Sequence, residues 1–134
     1  MLRTITRISP ISFLLCAFSA LLLVFSFPWP GYWFLAWVAF VPFFIAVSGK
    51  TLRSRFLLGY FFGICFWAGL VFWLAHVTLV GTIVLVLYLA LYTGFFALML
   101  MPVYLEKNRI VSLFYIPAAW VCLEFLRSNL LTGF

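Results

Sequence analysis

The chain has 134 residues, of which 69% are hydrophobic, 22% aromatic and 7% charged, and its mean hydropathy is +1.31. A water-soluble domain of this length could not bury so much apolar surface, so the composition excludes a soluble enzyme and indicates an integral membrane protein, with room for about five helices of roughly 20 residues. The net charge of +6 does not mark a nucleic-acid binder, because the eight Lys and Arg residues are scattered among the gaps between apolar runs.

Arg3 and Arg7 precede the first apolar run, residues 11–27, which is longer than the core of a secretory signal and is not followed by a small-x-small cleavage site. It reads as an uncleaved anchor. Phe27, Pro28, Trp29, Pro30 and Gly31 then force a turn, since two prolines lack N–H groups and a glycine accompanies them. Trp29, Tyr32 and Trp33 suit an interfacial aromatic belt at the start of a second span, residues 32–48, which carries Pro42 inside it. Gly49 and Lys50 close that run, and Lys50, Arg53 and Arg55 form a basic loop. The third span, residues 56–77, places Gly59 and Gly63 on one face, a spacing that allows close helix packing. The fourth, residues 82–104, repeats the small-residue theme with Ala90, Gly94 and Ala97 and has Pro102 in its last turn. Glu106, Lys107 and Arg109 form the next polar loop, and a fifth span, residues 110–126, carries Pro117 early and has Arg127 just beyond its end.

The expected fold is therefore all-α: a polytopic membrane bundle of about five transmembrane helices. The basic residues fall before span one, between spans two and three and between spans four and five, and the alternate connections have none. By the positive-inside rule this puts the N-terminus in the cytoplasm, and the Pro28–Gly31 turn, the His76–Gly81 turn and the C-terminus on the other side.

Few residues offer chemistry. Cys16, Cys65 and Cys122 all lie in predicted spans, where a thiolate is disfavoured and a thiol acts as a small hydrophobe. One His and two acids do not assemble a metal site, a pair of catalytic carboxylates or a Ser/His/Asp set, so no metal and no cofactor is expected. His76 sits at the outer end of span three, either as an interfacial ring like its Trp and Tyr neighbours or as a possible interfacial site for a proton or ligand.

Glu124 and Arg127 stand apart, as an ionisable group inside a span costs about 2.5–3.5 kcal/mol at the helix centre and so normally has a partner or a task. At 100° per residue Trp120, Glu124 and Arg127 share an arc of about 60°, so the acid and base can pair beneath an indole. Two readings stay open: a self-satisfied pair that helps end the helix, or a polar site facing the extracytoplasmic surface.

Trp120, Glu124, Phe125 and Arg127, followed by Thr132, Gly133 and Phe134, form a Trp-x-x-x-Glu-Phe-x-Arg…Thr-Gly-Phe stretch that resembles the bacterial apolipoprotein N-acyltransferase family. Leu91, Tyr92, Thr93 and Gly94 are similar to the Leu-Tyr-Thr-Gly segment of that family's fourth span. The Phe25–Pro28 turn and the glycine-bearing third span ending in Trp73 agree more weakly, and the turn after His76 departs from the pattern in lacking paired glycines. The resemblance covers the N-terminal membrane portion of such a protein. It implies a cytoplasmic (inner) membrane enzyme that moves an acyl chain from phospholipid to the N-terminal Cys amino group of a lipoprotein, so the partners it implies are membrane lipids and a lipoprotein substrate. In that family a nitrilase-like domain carries a Glu, Lys and Cys triad and a thioester acyl-enzyme, which splits one acyl transfer into two steps. That domain is absent from these residues: Cys122 and Glu124 match membrane positions, no residue is assigned as catalytic, and the 134 residues alone are expected to be inactive. The competing reading is a small non-enzymatic membrane protein, a transporter subunit or assembly factor. Against it, four of the five spans have almost none of the polar residues that a pathway needs.

Overall fold

Ser9 and Pro10 start the first helix: the serine hydroxyl accepts from the Ser12 N–H, and proline at the first helical position loses no useful donor. The computed structural model describes residues 8–27, 31–100 and 109–130, and every regular element among them is helical. These elements are α1 (Pro10–Phe25), α2 (Ala36–Val47), α3 (Leu52–Leu70), α4 (Leu79–Met99) and α5 (Arg109–Leu130), with short 3-10 turns at Trp33–Leu35 and Phe72–His76. The α4 helix and the Ile110–Leu130 stretch of α5 are long and apolar enough to cross a membrane, whereas α1 and α2 are apolar but shorter.

Helix α1 buries a stripe of small residues, Ser12, Cys16, Ser19 and Ala20, completed by Leu23. The small side chains let α2 approach until the Ser19 hydroxyl donates to the Ala39 carbonyl, a bond between the two helices in a fully buried setting. Ser19→Ala is expected to cost about 1 kcal/mol, the usual worth of a buried interhelical hydrogen bond, read as a lowered midpoint of thermal unfolding in lipid nanodiscs. An unchanged midpoint would show that this bond adds nothing to the packing around it.

Gly49, at φ +66°, turns the chain in the left-handed region after α2, where a side chain would be strained. The Thr51 hydroxyl then caps α3 by accepting from the Ser54 N–H. The cap starts α3 one turn before the predicted position, so Arg53 and Arg55 belong to its first turn and not to a loop. Arg55 is buried and its Nε donates to the Lys50 carbonyl at 2.9 Å, tying the connection to the helix.

The tightest interface is that of α3 on antiparallel α4. A Cβ built on Gly59 would lie 2.7 Å from the Thr93 carbonyl oxygen and 3.2 Å from the Gly94 Cα, and one on Gly63 would lie 2.9 Å from the Ala90 Cα and strike the Thr93 hydroxyl. Around this contact lies an aromatic core: Phe43, Phe62 and Phe96 are almost fully buried, and the rings of Phe43 and Phe62 are 4.6 Å apart.

The element boundaries differ from the expected ones in three informative places. The predicted third span ran unbroken through residues 56–77, but α3 stops at Leu70; Gly69 weakens its last turn, Val71 adopts φ −106° and ψ 18°, and the Phe72–His76 turn follows. The Thr78 hydroxyl accepts from the Gly81 N–H at 3.0 Å and starts α4 at Leu79, three residues before the expected 82. The fifth helix, expected to end at 126, continues to Leu130, so Arg127 lies within it. The basic start at Arg3 and Arg7, the Pro28–Pro30 turn residues, Pro102, the Glu106–Lys107 loop and the closing Thr132–Phe134 lie outside the described residues.

Candidate functional site

Helix α5 touches the rest of the bundle along a narrow face on which only Ala119 is fully buried. Its anchor is Trp120, whose ring meets Phe96 edge-on at 5.0 Å and Phe40 at 5.4 Å, centroid to centroid. Such aromatic contacts orient a helix as well as bury it. One to two helical turns on, Arg127 Nη2 donates to Glu124 Oε2 at 2.6 Å, forming the ion pair that the three-residue spacing permits. The indole beneath the guanidinium is not Trp120 but Trp67 of α3, with the guanidinium carbon 5.4 Å from the ring centroid. Trp120 points into the phenylalanine core instead, because the aromatic cluster is where its large apolar ring finds contact.

The pair does not end its helix, since the backbone continues helical for three residues past Arg127. Glu124 borders one small cavity with Trp67, Tyr92 and Thr93, and Thr93 packs on Gly63 in the body of the α3–α4 interface. The Arg127 side chain is 17% exposed and that of Glu124 is 38% exposed, so the base is held more closely than the acid. Beside the pair, α4 and α5 enclose an open apolar groove of about 510 Å³, walled by residues such as Leu91, Phe95, Leu123 and Leu126. The hydroxyls of Tyr88 and Tyr92, 2.6 Å apart, form a polar rung on its α4 side.

His76 is exposed on the Phe72–His76 turn, where its Nδ1 lies 3.3 Å from the Trp73 carbonyl oxygen; it does not join the cluster. The three thiols are free, with Cys16 buried, Cys65 half-buried and Cys122 exposed on α5. Trp67 was the residue that sequence reasoning missed. Its signal was present, because Gly59, Gly63 and Trp67 recur every four residues and so share one face of α3.

These features define a class: an all-helical, apolar domain in which Glu124 and Arg127 of α5 pair beside the packed faces of α3 and α4. Residues 19–134 match the family described as apolipoprotein N-acyltransferase N-terminal domain, and the chain belongs to that family. It is 37% identical over 133 aligned positions to an apolipoprotein N-acyltransferase of Geobacter metallireducens, an alignment covering 91% of this chain and 25% of that protein. The chain thus spans about a quarter of the length of the curated relative it matches. No solved structure matches it.

Proposed function

We propose that these residues form the N-terminal membrane scaffold of a bacterial inner-membrane enzyme that transfers an acyl chain from phospholipid to the α-amino group of the lipidated N-terminal Cys of a lipoprotein. The observation that carries this reading is the family match across residues 19–134, which includes both the α5 signature and the Leu91–Gly94 segment of α4. In the proposed arrangement α1 to α5 cross the bilayer in alternating directions with the N-terminus in the cytoplasm, as the distribution of Lys and Arg favours. Trp120, Glu124 and Arg127 then have a positioning role: they fix α5 against α3 and α4. The apolar groove between α4 and α5 is of a size and character that suits a lipid chain.

The covalent step is assigned to a longer protein of the relative's kind, not to these residues. A nucleophile, a base and oxyanion donors must converge on one reacting carbonyl, and the Glu124–Arg127 pair meets none of those needs. The test is a chimera in which residues 1–134 replace the N-terminal quarter of the Geobacter protein. Purified in phospholipid, it is expected to acylate a diacylated lipopeptide, while the 134 residues alone leave the peptide unchanged by mass spectrometry. A chimera that inserts normally yet transfers no acyl chain would favour a non-enzymatic membrane protein instead, and transfer by the 134 residues alone would overturn the scaffold assignment.

A further inference from the structure

The indole of Trp67 poses a hydrogen-bonding problem that the helices around it do not solve. Trp67 is 8% exposed, and its Nε1 is buried with no hydrogen-bond partner among the described residues. An indole N–H only donates, and the nearby Arg127 guanidinium only donates too, so the cation over the ring face cannot satisfy it. Buried donors in native proteins find an acceptor, in the protein or in ordered water.

A place for that acceptor exists. Trp67, Tyr92, Thr93, Trp120, Leu123 and Glu124 enclose a cavity of about 10 Å³, at the threshold for one water molecule. Its walls are not uniformly apolar, which distinguishes it from cavities that stay dry. Glu124 is an acceptor through its carboxylate and engages Arg127 through Oε2. The Thr93 hydroxyl sends its own proton to the Ala90 carbonyl at 2.8 Å, which leaves its oxygen able to accept. The Tyr92 hydroxyl is engaged with that of Tyr88.

We propose that this cavity is a binding site for a single structural water that bridges Trp67 Nε1 to the Glu124 carboxylate across the α3–α4–α5 junction. The water accepts from the indole N–H and donates its two protons to Glu124 and to the Thr93 oxygen. Those three bonds are the usual number for a buried water. The bridge gives each of the three helices one polar contact at the same point, and it makes the carboxylate a partner of α3 as well as of Arg127. It also accounts for a tryptophan at position 67: phenylalanine would fill much of the same space and face the guanidinium, but would offer no donor to the cavity.

The experiment uses the full 134-residue chain in nanodiscs of perdeuterated lipid, with ¹⁵N-labelled indole groups and the Trp67 resonance identified by its loss in Trp67→Phe. The expected result is a cross-peak between the Trp67 indole proton and a long-lived water, together with a downfield, hydrogen-bonded proton shift. In the double variant Glu124→Leu/Arg127→Leu, which leaves no unpaired charge, the cross-peak is expected to be lost and the indole proton to move upfield. Absence of the cross-peak in the wild-type chain overturns the proposal. So does a cross-peak whose intensity and shift are unchanged in the double variant, because that water would not be held by Glu124. The wild-type measurement decides by itself if the double variant does not fold.

Discussion

Gly63→Leu is expected to prevent α3 and α4 from docking, with a loss of more than about 3 kcal/mol, beyond the ordinary range for an overpacked core. The reason lies in what the new side chain would meet. A Cβ alone would already strike the Thr93 hydroxyl and approach the Ala90 Cα to 2.9 Å, and the Cα is backbone that cannot rotate away. Gly63→Ala is expected to be damaging to a smaller degree. Pairing it with Thr93→Ala should restore part of the loss, since this removes the hydroxyl but leaves the Ala90 backbone in place. Leu57→Ala, on the exposed face of the same helix, is the control and should be near neutral. The measurement is the fraction of chain recovered folded in bilayers, followed by the midpoint of thermal unfolding. A Gly63→Leu chain as stable as wild type would mean that α3 and α4 do not meet as described.

The second large effect concerns the ion pair. Arg127→Leu alone and Glu124→Leu alone are each expected to destabilise the inserted chain by about 2–3 kcal/mol, because in the proposed membrane arrangement each leaves one charge unneutralised in a span, where an ionised side chain costs about that much. The double variant Glu124→Leu/Arg127→Leu should recover most of that loss, as apolar replacements of buried ion pairs are often neutral or better. In water a pair this exposed would be worth about 0–1 kcal/mol, so the size of the single-variant effects reports directly on the surroundings of α5. Unfolding in lipid bilayers, compared across the wild type, the two singles and the double, gives the coupling energy. Singles that each cost less than about 0.5 kcal/mol would place the pair in a water-like setting and count against α5 as a membrane span.

Much of the architecture was legible in the order of residues. The apolar runs separated by Pro, Gly and basic residues located the five α-helices among the described residues, because hydrophobic length and chain-breaking residues act locally. Family membership was legible too, since the Trp120–Arg127 signature and the Leu91–Gly94 segment are contiguous stretches of sequence. The helix ends were harder. Thr51 and Thr78 begin α3 and α4 ahead of the apolar runs, because a capping hydroxyl draws polar residues such as Arg53 and Arg55 into the first turn, where a hydropathy argument does not look for them.

The sequence by itself determined that the chain is a series of apolar helices, that Gly59 and Gly63 share a face made for close approach, and that Glu124 and Arg127 are spaced to pair. Each of these follows from composition or from the period of a single helix. Only the tertiary structure decided which indole lies against Arg127, that Trp120 belongs to the Phe40–Phe96 cluster, and that Glu124 shares a small cavity with Tyr92 and Thr93 of α4. Those outcomes depend on how α3, α4 and α5 cross, and helix crossings are set by which side chains on different segments can interlock, a property that no single segment carries.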